Sequence, residues 1–560
     1  MKLSMSVSLF SRYAVFAACV LFTLATLPLL GVWQWFWVWP LTLVAGILSL
    51  LGCHDLWQKS HAVLRNYPII GHIRYMIEAI RPEIRQYLLE ADNEKLPFSR
   101  SQRSLVYARA KNEFGDRPFG TLMDVYGSGF EFISHSMRPA PHTDPTKFRI
   151  QIGGPQCTKP YSSSVLNISA MSFGSLSGNA IEALNRGAKF GGFAHDTGEG
   201  SISPYHRKHG GDLIWELGSG YFGCRDGAGN FDPKRFAAQA TTEQVKMIEI
   251  KLSQGAKPGH GGILPAEKVS LEIAETRGVP MGKVCLSPSS HGAFSTPREM
   301  MGFIAQLREL SGGKPVGFKL CVGHPWEFMA IVKAMLESGI LPDFIVVDGK
   351  EGGTGAAPVE FTDHLGAPLR EGLLFVHNTL VGVNLRDKIR LGASGKIISA
   401  FDMTSIFAIG ADWVNCARGF MFAIGCIQSQ SCHTNRCPTG VATQDKVRQR
   451  ALVVPDKAER VHNFHRNTLQ ALAEMLAAAG LKHPNELGPH HLFRRVSETE
   501  IKLVSQIHRF LKPGILLSGD SVGEFKGDRI GEFYESCWAM AQAGSFDAIR
   551  ADPSKQVIMV

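Results

Sequence analysis

The sequence predicts an α/β protein: a closed (β/α)8 TIM-type barrel, preceded by an N-terminal transmembrane hairpin and flanked by helical segments. Three observations carry this reading. Short β-branched or apolar runs alternate with helical patterns over roughly 300 residues from Phe148 onward, as repeated βα units require. Polar and glycine-rich stretches follow several of those runs, where a barrel gathers its functional loops. Ahead of them, residues 13–52 contain no charged side chain, about twice the length one helix needs to cross a bilayer. A doubly wound open sheet is the alternative to the closed barrel.

Residues 1–55 read as the anchor. Pro28, Gly31 and the aromatic run over 33–40 divide the apolar stretch near its middle. Tryptophan favours the membrane–water interface, so two spans joined by an aromatic turn are expected. A cleaved signal peptide with Lys2 and Arg12 as its basic start is the rival, and the second apolar stretch, 41–52, argues against it. Basic residues before the first span (Lys2, Arg12) and after the second (Lys59, Arg65, Arg74, Arg81) put both flanks, and with them the catalytic domain, in the cytoplasm.

Residues 56–146 form a lead-in with helical periodicity over 77–91 and no chemical signal; it is expected to pack on the catalytic domain. The barrel is assigned to 147–480. Within it 165–170, 247–252, 316–322, 344–347, 388–391 and 413–416 read as strands, and 178–190, 326–337 and 403–409 as helices. Residues 481–560 read as a C-terminal helical extension. The composition, 44% hydrophobic and 19% charged, is that of a folded protein, and 58 glycines suggest many tight loops. The formal charge of +9 comes without a Lys/Arg-rich tract, so nucleic-acid binding is not indicated. The surplus suits an anionic substrate or a membrane surface.

The polar residues fall at strand ends. Ser169, Ala170, Met171 and Ser172 close the first run; Lys251, Gln254 and Lys257 follow another. Lys319 interrupts an apolar strand. Asp348 leads into Gly352, Gly353, Thr354 and Gly355, and Ser394-Gly395 and Arg418-Gly419 end the last two strands. Glycine turns before the last helices can offer backbone N–H groups to a phosphate, so a phosphorylated flavin would suit the site; singly, each loop reads equally well as a tight βα turn. Gly218 to Gly223 fits GxGxxG literally, but more loop follows instead of a helix, so no dinucleotide fold is expected there.

Cys426, Cys432 and Cys437 lie in a loop-like run ending at Pro438. Thiolates so close in sequence can converge on one soft metal centre. No CxxC pair occurs, so three ligands to an iron–sulfur cluster fit better than a closed zinc site. Ordinary loop cysteines are the plain alternative, and disulfides are disfavoured by the odd number. Of the other cysteines, Cys416 could be a fourth ligand, though a buried small hydrophobe is the simpler reading. His260 and His291 lie in presumptive pocket loops.

Together these stretches resemble the synthase domain of glutamate synthases over residues 147–450. The resemblance is carried by Ser169-Ala170-Met171-Ser172-Phe173-Gly174, Thr197-Gly198-Glu199-Gly200, Glu249-Ile250-Lys251 running to Pro258-Gly259, the 348–356 stretch, the cysteine triplet, and Thr439 to Gln444. It implies an FMN-binding barrel, a 3Fe-4S cluster on Cys426, Cys432 and Cys437, and reductive amination of 2-oxoglutarate with ammonia to glutamate. It implies further that Ser169, Ala170, Met171, Ser172, Lys319, Asp348, Gly352, Gly353, Thr354, Gly355, Ser394, Gly395, Arg418 and Gly419 contact FMN. Lys251, Gln254, Lys257 and Arg277 would bind the oxoacid, with Glu199, Lys251 and Lys257 as catalytic groups.

The residue types suit these roles. A dicarboxylate needs fixed cations, and Lys251, Lys257 and Arg277 supply them, the arginine bidentately; solvated surface charge is the alternative. Lys319 can stand near the flavin pyrimidine or snorkel to the barrel rim. Glu199 can take a proton from ammonium or orient an imine, or cap a helix. An external electron donor is required. The departures are a missing N-terminal glutaminase domain, Ser201 in place of a family glycine, Lys350-Glu351 in place of a His-Asp pair, and a changed loop at 287–292. The alternatives are an FMN/iron–sulfur oxidoreductase for another oxoacid or amino acid, and a membrane-bound electron-transfer subunit.

Overall fold

The computed structural model describes residues 2–31, 37–91, 94, 97–113, 115–116, 118–518 and 525–549, without the side chains of 2–11 and 30. It comprises two compact units, residues 1–92 and 93–560.

In the first unit the helices Lys2–Thr26 and Val38–Trp57 pack side by side. The Thr26 and Thr42 hydroxyls meet at 2.8 Å, and a Cβ on Gly52 would stand 2.2 Å from the Phe16 ring. Contacts that climb one helix while descending the other make the pair antiparallel. The windows Arg12–Leu29 and Val38–Trp57 have mean hydropathies of 1.7 and 1.4, with 6% and 22% of their residues buried. Both are long and apolar enough to cross a membrane. The first half of the expected aromatic run, 33–36, lies outside the described residues. Asp55, fully buried, accepts the Ile69 N–H at 3.0 Å and bonds His72 Nε2 at 2.9 Å, which closes the chain back on the second helix. The periodicity at 77–91 is realised as the helix Gly71–Ile84 continued by the π turn Arg85–Leu89.

The second unit contains a closed barrel of eight parallel strands: β1 (Leu166–Ile168), β2 (His195–Asp196), β3 (Leu213–Leu217), β4 (Val245–Lys251), β5 (Val316–Leu320), β6 (Phe344–Asp348), β7 (Arg390–Ser394) and β8 (Trp413–Cys416), with β8 paired to β1. The closed form therefore holds over the open sheet. Six strands match the apolar runs to within a few residues. Of the other two, β2 is two polar residues, too short to leave a periodic signal, and β3 is a short apolar run interrupted by Glu216 that runs straight into glycines.

Side chains alternate across each strand, and this sorts the interior into layers. Ile214, Met247, Phe344 and Trp413 form an apolar plug at the N-terminal end of the barrel. Gly392 and Gly317 admit it: a Cβ on the first would stand 2.5 Å from the Trp413 indole, and one on the second 2.6 Å from the Phe344 ring. The antiparallel hairpin of Arg149–Ile152 with Tyr161–Ser164 covers this end, adding Ile150, Ile152 and Tyr161 to the plug. One step further along the strands the inward positions turn ionic, with Glu216 on β3, Glu249 on β4 and Lys319 on β5. At the C-terminal ends stand Lys251, Asp348 and Ser394. The outward residues are apolar and meet helices, as Trp215 stacks on Phe236 at 5.2 Å.

The helices begin where the sequence supplies caps. Ser177 accepts the Ala180 N–H at the head of Gly178–Gly191; Thr296 with Glu299, and Ser399 with Asp402, form capping boxes. Pro233, Pro297 and Pro325 occupy first-turn positions. The long helix Val454–Ala478 packs against Gly178–Gly191, where a Cβ on Gly187 would stand 2.5 Å from Val461, and against Arg100–Lys111. The C-terminal segment is not helical throughout. Leu492–Arg495 and Ile501–Leu503 build an antiparallel sheet with Glu131–Ile133 from the lead-in; the helix Arg529–Met540 follows. The partner strand lies some 360 residues away in sequence, and so the pairing left no local trace.

Candidate functional site

An open-mouthed cavity sits on the C-terminal ends of the barrel strands. Ser169 to Ser172, Glu199, Lys251, Gln254, Lys257, Lys319, Asp348, Gly352 to Gly355, Ser394, Gly395, Arg418 and Cys432 line it. Loops from β1, β2, β4, β6, β7 and β8 thus converge on one space. Arg277, Gly419, Cys426 and Cys437 do not line it.

Glu199 and Lys251 are the pair at its centre. Lys251 Nζ stands 3.2 Å from Glu199 Oε2. Burial pushes the Glu199 carboxyl up, yet Lys251, Arg277 and Lys257 outweigh it and hold it below the ordinary value. It is therefore an anion at neutral pH. Lys257, 4% exposed, has its ammonium lowered by burial and by Lys251, with Glu199 opposing. Lys251 and Lys319 are register partners on β4 and β5, so both face the interior.

Lys319 lies beneath the cavity, ion-paired with Glu216 and, at 3.4 Å, with Glu249. Asp196 belongs to the same cluster: carboxylate oxygens of Asp196, Glu216 and Glu249 lie within 4.8 Å of one another. Burial lowers the Lys319 ammonium, but these carboxylates and Asp348 outweigh it and hold it well above the usual lysine value. Burial and the neighbouring anions push Asp196 and Glu249 up. Three carboxyls around one ammonium cannot all ionise in a dry interior, so the cluster retains a proton at neutral pH.

The backbone around Glu199 is crowded. Gly198 has φ +64°, and a Cβ there would stand 2.7 Å from Ser172 N. Ser201 has φ +73°, a left-handed conformation that suits the glycine found in the resembling family. Its side chain fills the space left by Gly223, where a Cβ would meet Ser201 Oγ at 1.9 Å. Gly218 makes room for Glu199, since a Cβ there would stand 2.8 Å from Glu199 Cβ. The literal GxGxxG thus serves close backbone packing.

Several expected roles are modified. Arg277 points to the β1 loop, donating to the Phe173 carbonyl at 2.9 Å and lying 5.2 Å over the Phe222 ring; it acts on Glu199 through its charge. Asp348 accepts from the Ser394 hydroxyl and from Gly255 N–H at 2.7 Å, tying three loops together. Gly419 packs against Cys416 Sγ and Phe464. Lys350 donates to Thr362 O and Glu351 accepts from Leu369 N–H, so this pair braces a helix start and is absent from the cavity wall. His291 bonds the Lys251 carbonyl at 2.9 Å and Tyr221 OH at 3.1 Å, which fixes the Lys251 backbone from behind. His260 bonds the carbonyl of the next residue, Gly261, and lines a small side pocket with Glu199 and Lys251.

Phe98 reaches the cavity from the lead-in, held by two hydrogen bonds to Gln428, each 3.2 Å. No sequence signal marked it. Glu216 and Glu249 do carry a signal in retrospect: each is a lone acid inside an apolar strand.

Cys426 and Cys437 are buried and Cys432 is half-buried. Burial pushes Cys426 up to about 11, with the charges of Cys432 and Cys437 adding to it, so the three stand within electrostatic reach. Burial also raises Cys437, but backbone N–H groups of Ala442, Thr439 and Val441 outweigh it and bring the thiol below its ordinary value. Among the described residues these sulfurs are not all within 4.8 Å of one another. The Cys416 thiol, pushed up to about 12 by burial, faces Gly419.

Two outcomes are expected. Gly223→Ala should destabilise the protein by about 2 kcal/mol through overpacking and left-handed strain, and Ser201→Gly in that background should recover about half, measured as a double-mutant cycle of unfolding. Glu249→Gln should flatten the pH dependence of stability. A carboxyl raised in the folded state contributes stability that is present below its unfolded pKa and lost as pH rises, so the thermal midpoint should fall less from pH 5 to 8 than in the wild type.

The conserved region in glutamate synthase, as a family model, matches residues 149–482. The glutamate synthase large subunit-like protein YerD of Bacillus subtilis (strain 168) is 39% identical over 495 residues, covering 81% of this chain and 94% of that protein. The archaeal-type NADPH glutamate synthase of Thermotoga neapolitana is 34% identical over 339 residues, covering 60% of this chain and 64% of that one. The ferredoxin-dependent glutamate synthase of Antithamnion sp. is 35% identical over 266 residues, 47% of this chain and 17% of that protein. The chain therefore spans less than two thirds of the latter two. With the family match over more than half its length, the chain belongs to the glutamate synthase family.

Proposed function

We propose that the protein forms glutamate by reductive amination of 2-oxoglutarate with ammonia, using electrons passed through a 3Fe-4S cluster to FMN. The observation that carries this reading is the convergence of Glu199, Lys251, Gln254 and Lys257 on one wall of the cavity whose other walls are the flavin-type loops. Cations and an amide at one wall suit a dicarboxylate. Glu199, an anion beside them, can take a proton from ammonium so that free ammonia condenses with the keto carbon.

Ser169 to Ser172, the 352–355 loop, Ser394-Gly395 and Arg418 would hold FMN. Bound there, FMN would supply the hydride that reduces 2-iminoglutarate at C2, with a proton added at nitrogen to give glutamate. Lys319, kept charged by its carboxylates, would favour a flavin carrying negative charge. Cys426, Cys432 and Cys437 would hold the cluster, which would pass on electrons singly from an external donor. Arg277 supports Glu199 and the β1 loop from behind. The two apolar helices of the first unit support a membrane hairpin, and the basic residues flanking them would put the catalytic unit on the cytoplasmic side.

Purified protein given ammonium, 2-oxoglutarate and a low-potential donor is expected to release glutamate; protein carrying both cofactors that forms none overturns the substrate assignment. Lys257→Met should raise KM for the oxoacid by about 100-fold with a smaller change in kcat. Because the Lys257 ammonium is lowered, wild-type KM should climb on the alkaline side before the ordinary lysine value of about 10.4 is reached, and Lys257→Met should remove that limb. The full chain should stay with membranes through a high-pH wash, and removal of residues 1–57 should release the flavoprotein; full-length protein in the wash supernatant would refute the anchor.

A further inference from the structure

Lys268 ends the turn Ala266–Lys268 in the long excursion between β4 and β5. It is 3% exposed. Its Nζ donates to the carbonyls of Cys432 at 2.8 Å, Ala442 at 3.2 Å and Ser175 at 3.3 Å. An ammonium has three N–H donors, so all are used, and all on neutral acceptors. The anions that act on it are the Cys432 and Cys437 sulfurs, which oppose the lowering of its pKa by burial.

A buried cation with only carbonyl partners is costly unless negative charge stands nearby. The thiols provide that charge once they are thiolates, the form in which sulfur binds iron. Lys268 acts on Cys432 and Cys437, while the Arg418 charge acts on Cys426. Lys268, Ser175, Cys432 and Ala442 also line the large cavity, so the ammonium stands where the cysteine loop and the flavin space share a wall.

We propose that Lys268 is the fixed counter-charge of the three-cysteine site, holding the loop against the β1 loop and raising the reduction potential of the iron–sulfur group bound there. This rests on the cysteine-ligand reading above. A fixed cation favours the state with one more electron, and its effect is strongest where water is excluded.

The test compares full-length wild type with Lys268→Arg, Lys268→Gln and Lys268→Met, purified anaerobically. Iron, acid-labile sulfide and FMN are counted per chain, and the cluster midpoint is read by EPR during a mediated titration. Lys268→Arg should keep iron and the wild-type midpoint. Lys268→Gln and Lys268→Met should keep FMN and move the midpoint down, so that at the wild-type midpoint the ratio of reduced to oxidised cluster falls about tenfold. Loss of iron in both neutral variants, with FMN and iron retained in Lys268→Arg, also supports the counter-charge. An unchanged midpoint in iron-replete Lys268→Met and Lys268→Gln overturns it, as does loss of iron in Lys268→Arg together with the others. Wild-type protein with FMN but no iron refutes the cluster reading itself, and the counter-charge falls with it.

Discussion

The ionic layer inside the barrel is the constraint on which the site depends. Strand alternation puts Glu216, Glu249 and Lys319 on the inward face, and Glu216 and Glu249 are register partners on adjacent strands. Like charges side by side are unfavourable; Lys319 offsets them, and protonation removes the rest. The result is a lysine that keeps its charge although 4% exposed. The apolar plug below seals the layer from solvent, and the cavity lies directly above it.

The second constraint is the tightness of the β2 loop. Glu199 reaches the cavity only because Gly198, Gly200, Gly218 and Gly223 let backbone segments approach without a Cβ between them. Ser201 sits in this elbow in a conformation glycine adopts more readily, and Gly223 compensates by yielding its side-chain space. Substitution at one position is thus tied to the residue at another. The same loop receives charge from Lys251, Lys257 and Arg277, so its geometry and its ionisation are set together.

The cysteine loop and the cavity share a wall built by several distant segments. Phe98 comes from the lead-in, Lys268 from the excursion after β4, and Cys432 and Ala442 from the end of the barrel. Tyr107 OH donates to the Cys426 carbonyl at 2.6 Å, adding another tie from the lead-in. A segment with no chemical signal of its own therefore closes the site.

The sequence alone determined the βα rhythm, six of the barrel strands, the apolar N-terminal helices and the loops that gather at the cavity. Periodicity and glycine placement are local properties, and these features are local. Tertiary structure decided the rest. The strands β2 and β3, the sheet that joins 131–133 to 492–503, and the pairing of Lys319 with Glu216 and Glu249 depend on partners far apart in the chain. So do the inward turn of Phe98, the backing role of Arg277 and the burial of Lys268. A charged residue reads alike in sequence whether solvent or a closed barrel surrounds it; only packing sets its dielectric and its neighbours, and with them its chemistry.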